Sequence, residues 1–262
     1  MSAESKTALV LVSTEGPVTT LALNRPDKRN ALNLELLEQL LAAVAATEAN
    51  AGQRVLILRG EGPVFCAGLD LAEAASPERA HRSAELVAAN LRTLSATRLV
   101  TIAAVQGAAV AGGAGLMTAC DFAVAAEGTQ LGYPETRRGL VAALVMTFLR
   151  RQLRERDARE LLLTGELIEA QRALAIGLVN RVVPPADLPG AVRRMADAVL
   201  QGGPEAVANT KRLMNELWPR SVVADLDHAL AFHLHARNSP EASEGVKAFK
   251  EKRPPKWAPG SQ

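Results

Sequence analysis

With 262 residues, of which 48% are hydrophobic and 22% charged, the chain has the make-up of an ordinary globular protein, large enough for one big core or a main domain with a small companion. A net charge of +2 and an aromatic content of 3% argue against a nucleic-acid partner, which calls for a basic face or stacking rings. Two cysteines, Cys66 and Cys120, are too few for a disulfide framework or a cysteine-only metal site.

The N-terminal MSAESKTALV has neither an apolar signal core nor an Arg-rich amphipathic pattern, so a cytoplasmic chain without an anchor is expected. Two β-like runs, 8–13 and 18–23, are split by Gly16-Pro17 and read as a hairpin, followed by a turn at Asn24-Arg25-Pro26-Asp27. Asn33 is placed to cap a helix beginning near Leu34, where Leu34, Leu37, Leu41 and Val44 recur at helical spacing. An apolar strand over 55–58 is broken by Gly60-Glu61-Gly62-Pro63. Ser76-Pro77-Glu78 marks the start of a helix running to about Leu94. A strand over 101–105, a helix from near Gly112 to Cys120 and a strand over 122–125 follow. Strands alternating with helices predict an α/β fold with buried strands. Beyond Leu140 the pattern turns helical, over 144–152, 157–163 and 169–176, with a last strand over 178–183. Three helices over 205–217, 222–237 and 241–252 close the chain.

Residues 99–120 carry no charge but hold Gly107, Gly112, Gly113 and Gly115. The run is long enough to span a membrane, yet it is rich in Ala and Gly and interrupted by Thr101, Gln106 and Thr118, so no membrane span is expected. Dense glycines let backbone amides approach a ligand closely, and a helix starting among them favours negative charge. The stretch 66–70 (CAGLD) offers a second such place. Two N–H groups from different segments can hold one oxygen that turns negative during a reaction, with Glu135 of Tyr133-Pro134-Glu135 as general acid or base. The alternative is a purely structural strand–turn–helix whose glycines serve packing. His81, His228, His233 and His235 read as surface or interface residues and Cys66 and Cys120 as small packed hydrophobes; no metal site is expected. The basic stretch 247–256 (KAFKEKRPPK) reads as a solvated tail or a phosphate clamp.

At these residues the chain resembles the crotonase superfamily, the enoyl-CoA hydratases and isomerases. The matching blocks are 24–32 (NRPDKRNAL), 65–71 (FCAGLDL), 104–121 (AVQGAAVAGGAGLMTACD), 134–140 (PETRRGL), 162–183 (LLTGELIEAQRALAIGLVNRVV) and 244–253 (EGVKAFKEKR). The resemblance implies a spiral core of repeated ββα units with the active site, over 1–200, and a helical C-terminal region for trimer assembly and CoA contacts, over 201–262. It implies an acyl-CoA thioester as substrate, no cofactor beyond the coenzyme A that the substrate carries, and a homotrimer or hexamer. The Ala67 and Gly112 amides would form an oxyanion hole for a thioester enolate. Gly68, Leu69 and Asp70 would line the CoA and thioester site. Lys28 or Arg29 would approach the CoA phosphates, and Phe249 and Lys252 the adenine end.

One departure bears on the reaction. Hydratases of the family carry two glutamates, and the first falls here on Gly115 while the second survives as Glu135. Adding water across a double bond is readily served by two carboxylates, whereas one suits shuttling a proton between carbons. A dienoyl-type isomerase would want a further acid where Ala143 stands. The expectation is an enoyl-CoA hydratase or isomerase with Glu135 as acid–base residue. The alternatives are a 3-enoyl to 2-enoyl-CoA isomerase using Glu135 alone, or a catalytically weak acyl-CoA-binding homologue.

Overall fold

Strand β1 (Val10–Glu15) turns at Gly16-Pro17 into the antiparallel strand β2 (Val18–Leu23), with Val10 opposite Leu23 and Glu15 opposite Val18. Gly16 sits at φ +56°, a conformation a tight hairpin turn demands and a β-carbon resists. In this computed structural model the residues described are 8–70, 77–138, 140–217, 240, 244, 247–248 and 251–256. Helix α1 (Leu34–Ala49) starts where Asn33 Oδ1 accepts the Leu36 N–H at 3.0 Å. It buries Leu36, Leu37, Leu40 and Val44.

The parallel strands β3 (Val55–Gly60), β4 (Val100–Val105), β6 (Phe122–Ala126) and β9 (Arg181–Val183) extend the hairpin into a six-stranded sheet of order β1-β2-β3-β4-β6-β9. β4 is buried at every position, as a parallel strand covered on both faces must be. A smaller sheet joins β5 (Ala108–Val110), β7 (Gln130–Gly132) and β8 (Ile168–Glu169). Isolated bridges between Cys66 and Ala109, and between Leu32 and Leu69, continue this second layer along the chain. β2, β3 and β4 are each followed by an extended segment in the second layer and then a helix: α1, α2 (Pro77–Ala96) and α3 (Gly112–Ala119) in turn. That repetition is the ββα spiral. α4 (Ala143–Gln152), α5 (Glu155–Thr164) and α6 (Ala170–Ala175) complete the inner layer.

The main core lies between the inner face of the large sheet (Leu21, Leu23, Leu56, Leu58, Ala103, Val105) and these helices. A second core covers the outer face, where Val55, Ile57, Ile102 and Val124 meet α7 (Leu188–Leu200). The sequence reading lacked α7, although Leu188, Ala191, Val192, Met195 and Leu200 recur at helical spacing and all are buried. Pro189 sits in its first turn, where proline is tolerated. α8 (Pro204–Leu217) is tied to the sheet by Lys211, whose Nζ donates to Leu99 O and to Asp121 Oδ2, both at 2.7 Å. The helices expected over 222–237 and 241–252 fall largely outside the described residues.

Candidate active site

Two adjacent parallel strands deliver the expected site residues together. β5 runs directly into Ala111 and the first turn of α3; its neighbour β7 runs into Tyr133 and the 3-10 turn Pro134–Arg138 that carries Glu135. The Ala111 N–H donates to Gly132 O at 2.9 Å and ties the two strand ends together. Glu135 is half-buried beside fully buried Tyr133. Burial pushes the Tyr133 phenol well above its usual range, and the negative charge of Glu135 adds to that. On its far side the turn is anchored to α5, through Thr136 Oγ1 to Leu162 O at 3.3 Å and Arg137 Nε to Thr164 O at 2.9 Å.

The second loop, 66–70, lies against residues 29–32 as a short ladder. Ala67 N–H donates to Arg29 O (3.0 Å), Leu32 N–H to Gly68 O (2.8 Å) and Asp70 N–H to Leu32 O (3.0 Å). The Gly68 N–H faces the Cys66 sulfur, and that thiol donates to Asn30 O at 3.1 Å. These bonds correct the expected role of Ala67: its amide is already committed to the Arg29 carbonyl. Along an extended segment successive N–H groups alternate in direction, so the Leu69 N–H points away from the ladder. Among the described residues no acceptor takes it. Alternation past the glycine is the signal that would have marked the Leu69 amide, rather than that of Ala67, as the uncommitted one. On the facing side of the ladder Arg29 and Asn30 both have positive φ, 51° and 54°.

Gly112 opens α3, and among the described residues its N–H also lacks an acceptor, as first-turn amides do. The preceding Ala111 has φ 50° and ψ −121°, a region an L-residue seldom enters. Its carbonyl accepts the Gly115 N–H at 2.9 Å. In a trans peptide the N–H opposes the carbonyl, so the Gly112 N–H points out of the helix start. The two loops touch: a β-carbon on Gly68 would stand 3.7 Å from the Gly112 nitrogen and 2.9 Å from Val110 O. A β-carbon on Gly113 would stand 2.5 Å from Cys66 O, so glycine there is required by packing. At Gly115 the place of a β-carbon lies 2.6 Å from Val145 Cγ1 of α4 and 3.6 Å from Leu91 Cδ2 of α2.

Lys28 and Arg29 are exposed on the turn that abuts the 66–70 loop, and among the described residues no acid pairs with them. The Asp70 carboxylate is gripped by Arg25. Lys252 is exposed; Phe249 lies outside the described residues, as do His228, His233 and His235. His81 is exposed beside Glu85. Cys66 and Cys120 are buried, and burial pushes both thiols up to about 12. Among the described residues no three His, Cys, Asp or Glu cluster as metal ligands, and no helix is long and apolar enough to cross a membrane. A cleft of about 740 Å³ opens on the opposite face of the large sheet, beside α7. Its rim arginines are paired, Arg59 with Glu61 and Arg193 with Glu15 and Asp197.

Residues 13–260 match the family model described as enoyl-CoA hydratase/isomerase. A putative enoyl-CoA hydratase of Thermus thermophilus is 39% identical over 249 residues, 93% of this chain and 98% of its own. A crotonyl-CoA hydratase of Syntrophomonas wolfei is 33% identical, covering 93% of this chain and 95% of its own. The crystal structure of an enoyl-CoA hydratase of Mycobacterium smegmatis superposes with a TM-score of 0.91 at 32% identity, over 95% of this chain and 98% of that one. With the sequence blocks, the ββα spiral and these likenesses in agreement, the chain belongs to the enoyl-CoA hydratase/isomerase family of the crotonase superfamily.

Proposed function

We propose that the chain transforms an acyl-CoA thioester through an enolate, with the Leu69 and Gly112 amides holding the thioester oxygen and Glu135 moving the proton. The observation that carries this reading is the pair of uncommitted N–H groups on two abutting loops, with a half-buried carboxylate on the neighbouring strand end. Removing a proton beside a thioester carbonyl sends the C–H electron pair toward the carbonyl oxygen. Two amides set in place beforehand stabilise that charge without reorganising, and such donors are worth about 10²–10³ in rate apiece. Lys28 and Arg29, exposed at the edge of the loop and paired with no acid among the described residues, suit the CoA phosphates; Phe249 and Lys252 are assigned to its adenine end. The same reading takes the assembly to be a homotrimer or hexamer.

Migration of a double bond from the 3- to the 2-position is the reaction that the surroundings of Gly115 favour. Position 115 offers no carboxylate, and Val145 and Leu91 occupy the space beside it. Glu135 would take a proton from the carbon next to the thioester and return it two carbons further along, so that its carboxylate is regenerated without a second acid. Hydration needs a water activated at one carbon and a proton delivered at the next, which Glu135 alone serves less well.

The test offers purified protein 2-enoyl-CoA and 3-enoyl-CoA in parallel and follows the absorbance of the conjugated thioester. Gain of conjugation from the 3-enoyl ester is the expected result. Loss of conjugation from the 2-enoyl ester identifies a hydratase. Binding of both without turnover would replace the enzymatic reading by an acyl-CoA-binding one. A structure with a bound acyl-CoA should place the thioester oxygen within hydrogen-bond reach of Leu69 N and Gly112 N, and beyond the reach of Ala67 N.

A further inference from the structure

The Asp70 carboxylate follows directly on Leu69, so an acidic group stands next to an amide assigned to stabilise negative charge. Left alone, that carboxylate would oppose the charge forming on the thioester oxygen. It is not left alone. Arg25 Nη1 and Nη2 both donate to Asp70 Oδ2 at 3.1 Å, and Nη1 also donates to Ala31 O at 2.6 Å. The pair is largely withdrawn from solvent, with side-chain exposures of 15% for Arg25 and 19% for Asp70. Charges so placed are screened less by salt than a surface pair. The guanidinium also bridges both sides of the ladder, since Ala31 belongs to one segment and Asp70 to the other. Arg25 is itself fixed: its N–H donates to Asn30 Oδ1 at 2.8 Å, and its carbonyl accepts the N–H groups of Lys28 (3.0 Å) and Asn30 (2.9 Å).

We propose that Arg25 is a positioning residue of the reaction, which neutralises the Asp70 carboxylate beside the Leu69 amide. Arg25 touches neither substrate nor reacting atoms in this assignment. The inference rests on the enolate reading above, because it concerns a charge that develops only in the transition state. It therefore predicts a loss in kcat with KM for the acyl-CoA little changed.

The experiment measures kcat, KM and thermal midpoint for the wild type, Arg25→Met, Arg25→Lys and the double variant Arg25→Met/Asp70→Asn. Arg25→Met removes the cation beside the Asp70 carboxylate, and kcat is expected to fall roughly tenfold. Arg25→Lys keeps the charge but gives up the forked grip, and should retain most of kcat. Removing the Asp70 charge as well, in the double variant, should restore a large part of what Arg25→Met lost. A loop braced only sterically would show no such rescue. Unchanged kcat in Arg25→Met, or a double variant no faster than the single one, overturns the inference. If Arg25→Met does not fold, Arg25→Lys decides: a kcat loss of tenfold or more in a folded Lys variant overturns it. A wild type inert on both enoyl-CoA substrates overturns the enolate reading and this inference together, whereas an active wild type with indifferent variants overturns this inference alone.

Discussion

In the proposed reaction Glu135 and the glycines of α3 set what the site can do, and each is open to a direct test. Glu135→Gln keeps shape and removes the proton carrier, so turnover should fall by about 10²–10⁴ with folding intact. A near-wild-type rate in a kinetic assay would remove Glu135 from its role. Gly115→Glu, the obvious way to supply a second carboxylate, is expected to fail in this chain. Its β-carbon would stand 2.6 Å from Val145 Cγ1, and Val145 is only 3% exposed, on a helix packed against α3. The predicted result is a drop in thermal midpoint without added hydration. In a Gly115→Glu/Val145→Ala background the midpoint should partly recover. The two thiols give a pH test. In the unfolded chain they ionise near their ordinary value of 9, while burial holds them neutral up to about 12 in the fold. Their contribution is therefore complete below pH 9 and is lost as pH rises from 9 toward 12. The urea midpoint should fall over that window, and less so in Cys66→Ala. A thiol reagent at about pH 8 should label neither cysteine until the chain unfolds.

At the scale of elements, short hydrogen-bonded ties decide which pieces stay together. Lys211 joins α8 to the sheet through Leu99 O and Asp121 Oδ2, and the same oxygen accepts from Thr101 N (2.8 Å) and Oγ1 (3.0 Å). Lys211→Met leaves the carboxylate without its cation; because Asp121 keeps 26% of its side chain in water, the expected cost is about 2–4 kcal/mol. A calorimetric midpoint lowered by roughly 5–15 °C would agree with that, and an unchanged one would not. The helices and long strands were legible in the sequence wherever periodicity and capping agreed: β2 occupies the expected residues, and Asn33 caps α1. The three-residue strands β5 and β7 were not, since so few residues carry no period. Yet those two strands bring Gly112 and Glu135 side by side. The candidate residues were thus legible as types and motifs, while the strand pairing that brings their segments together was not.

For the whole molecule, the ββα spiral leaves several large apolar side chains uncovered on a single chain. Leu140 (52%), Val141 (74%) and Leu163 (69%) are among them. Such residues suit contact with further copies of the chain, and the proposed trimer or hexamer should sediment as three or six chain masses. A monomer at micromolar concentration would contradict the assembly. Strand–helix alternation was sufficient by itself for the α/β class, and the ordered motif blocks for the family, because periodicity and residue chemistry are local properties. Which amide of the 66–70 loop is left uncommitted was decided only in three dimensions. Ala67 and Leu69 stand two residues apart in one loop, and the sequence does not say which N–H the Arg29 carbonyl consumes. The fate of position 115 is of the same kind: its missing side chain is visible in one dimension, but that Val145 fills the space is a fact of packing between helices thirty residues apart.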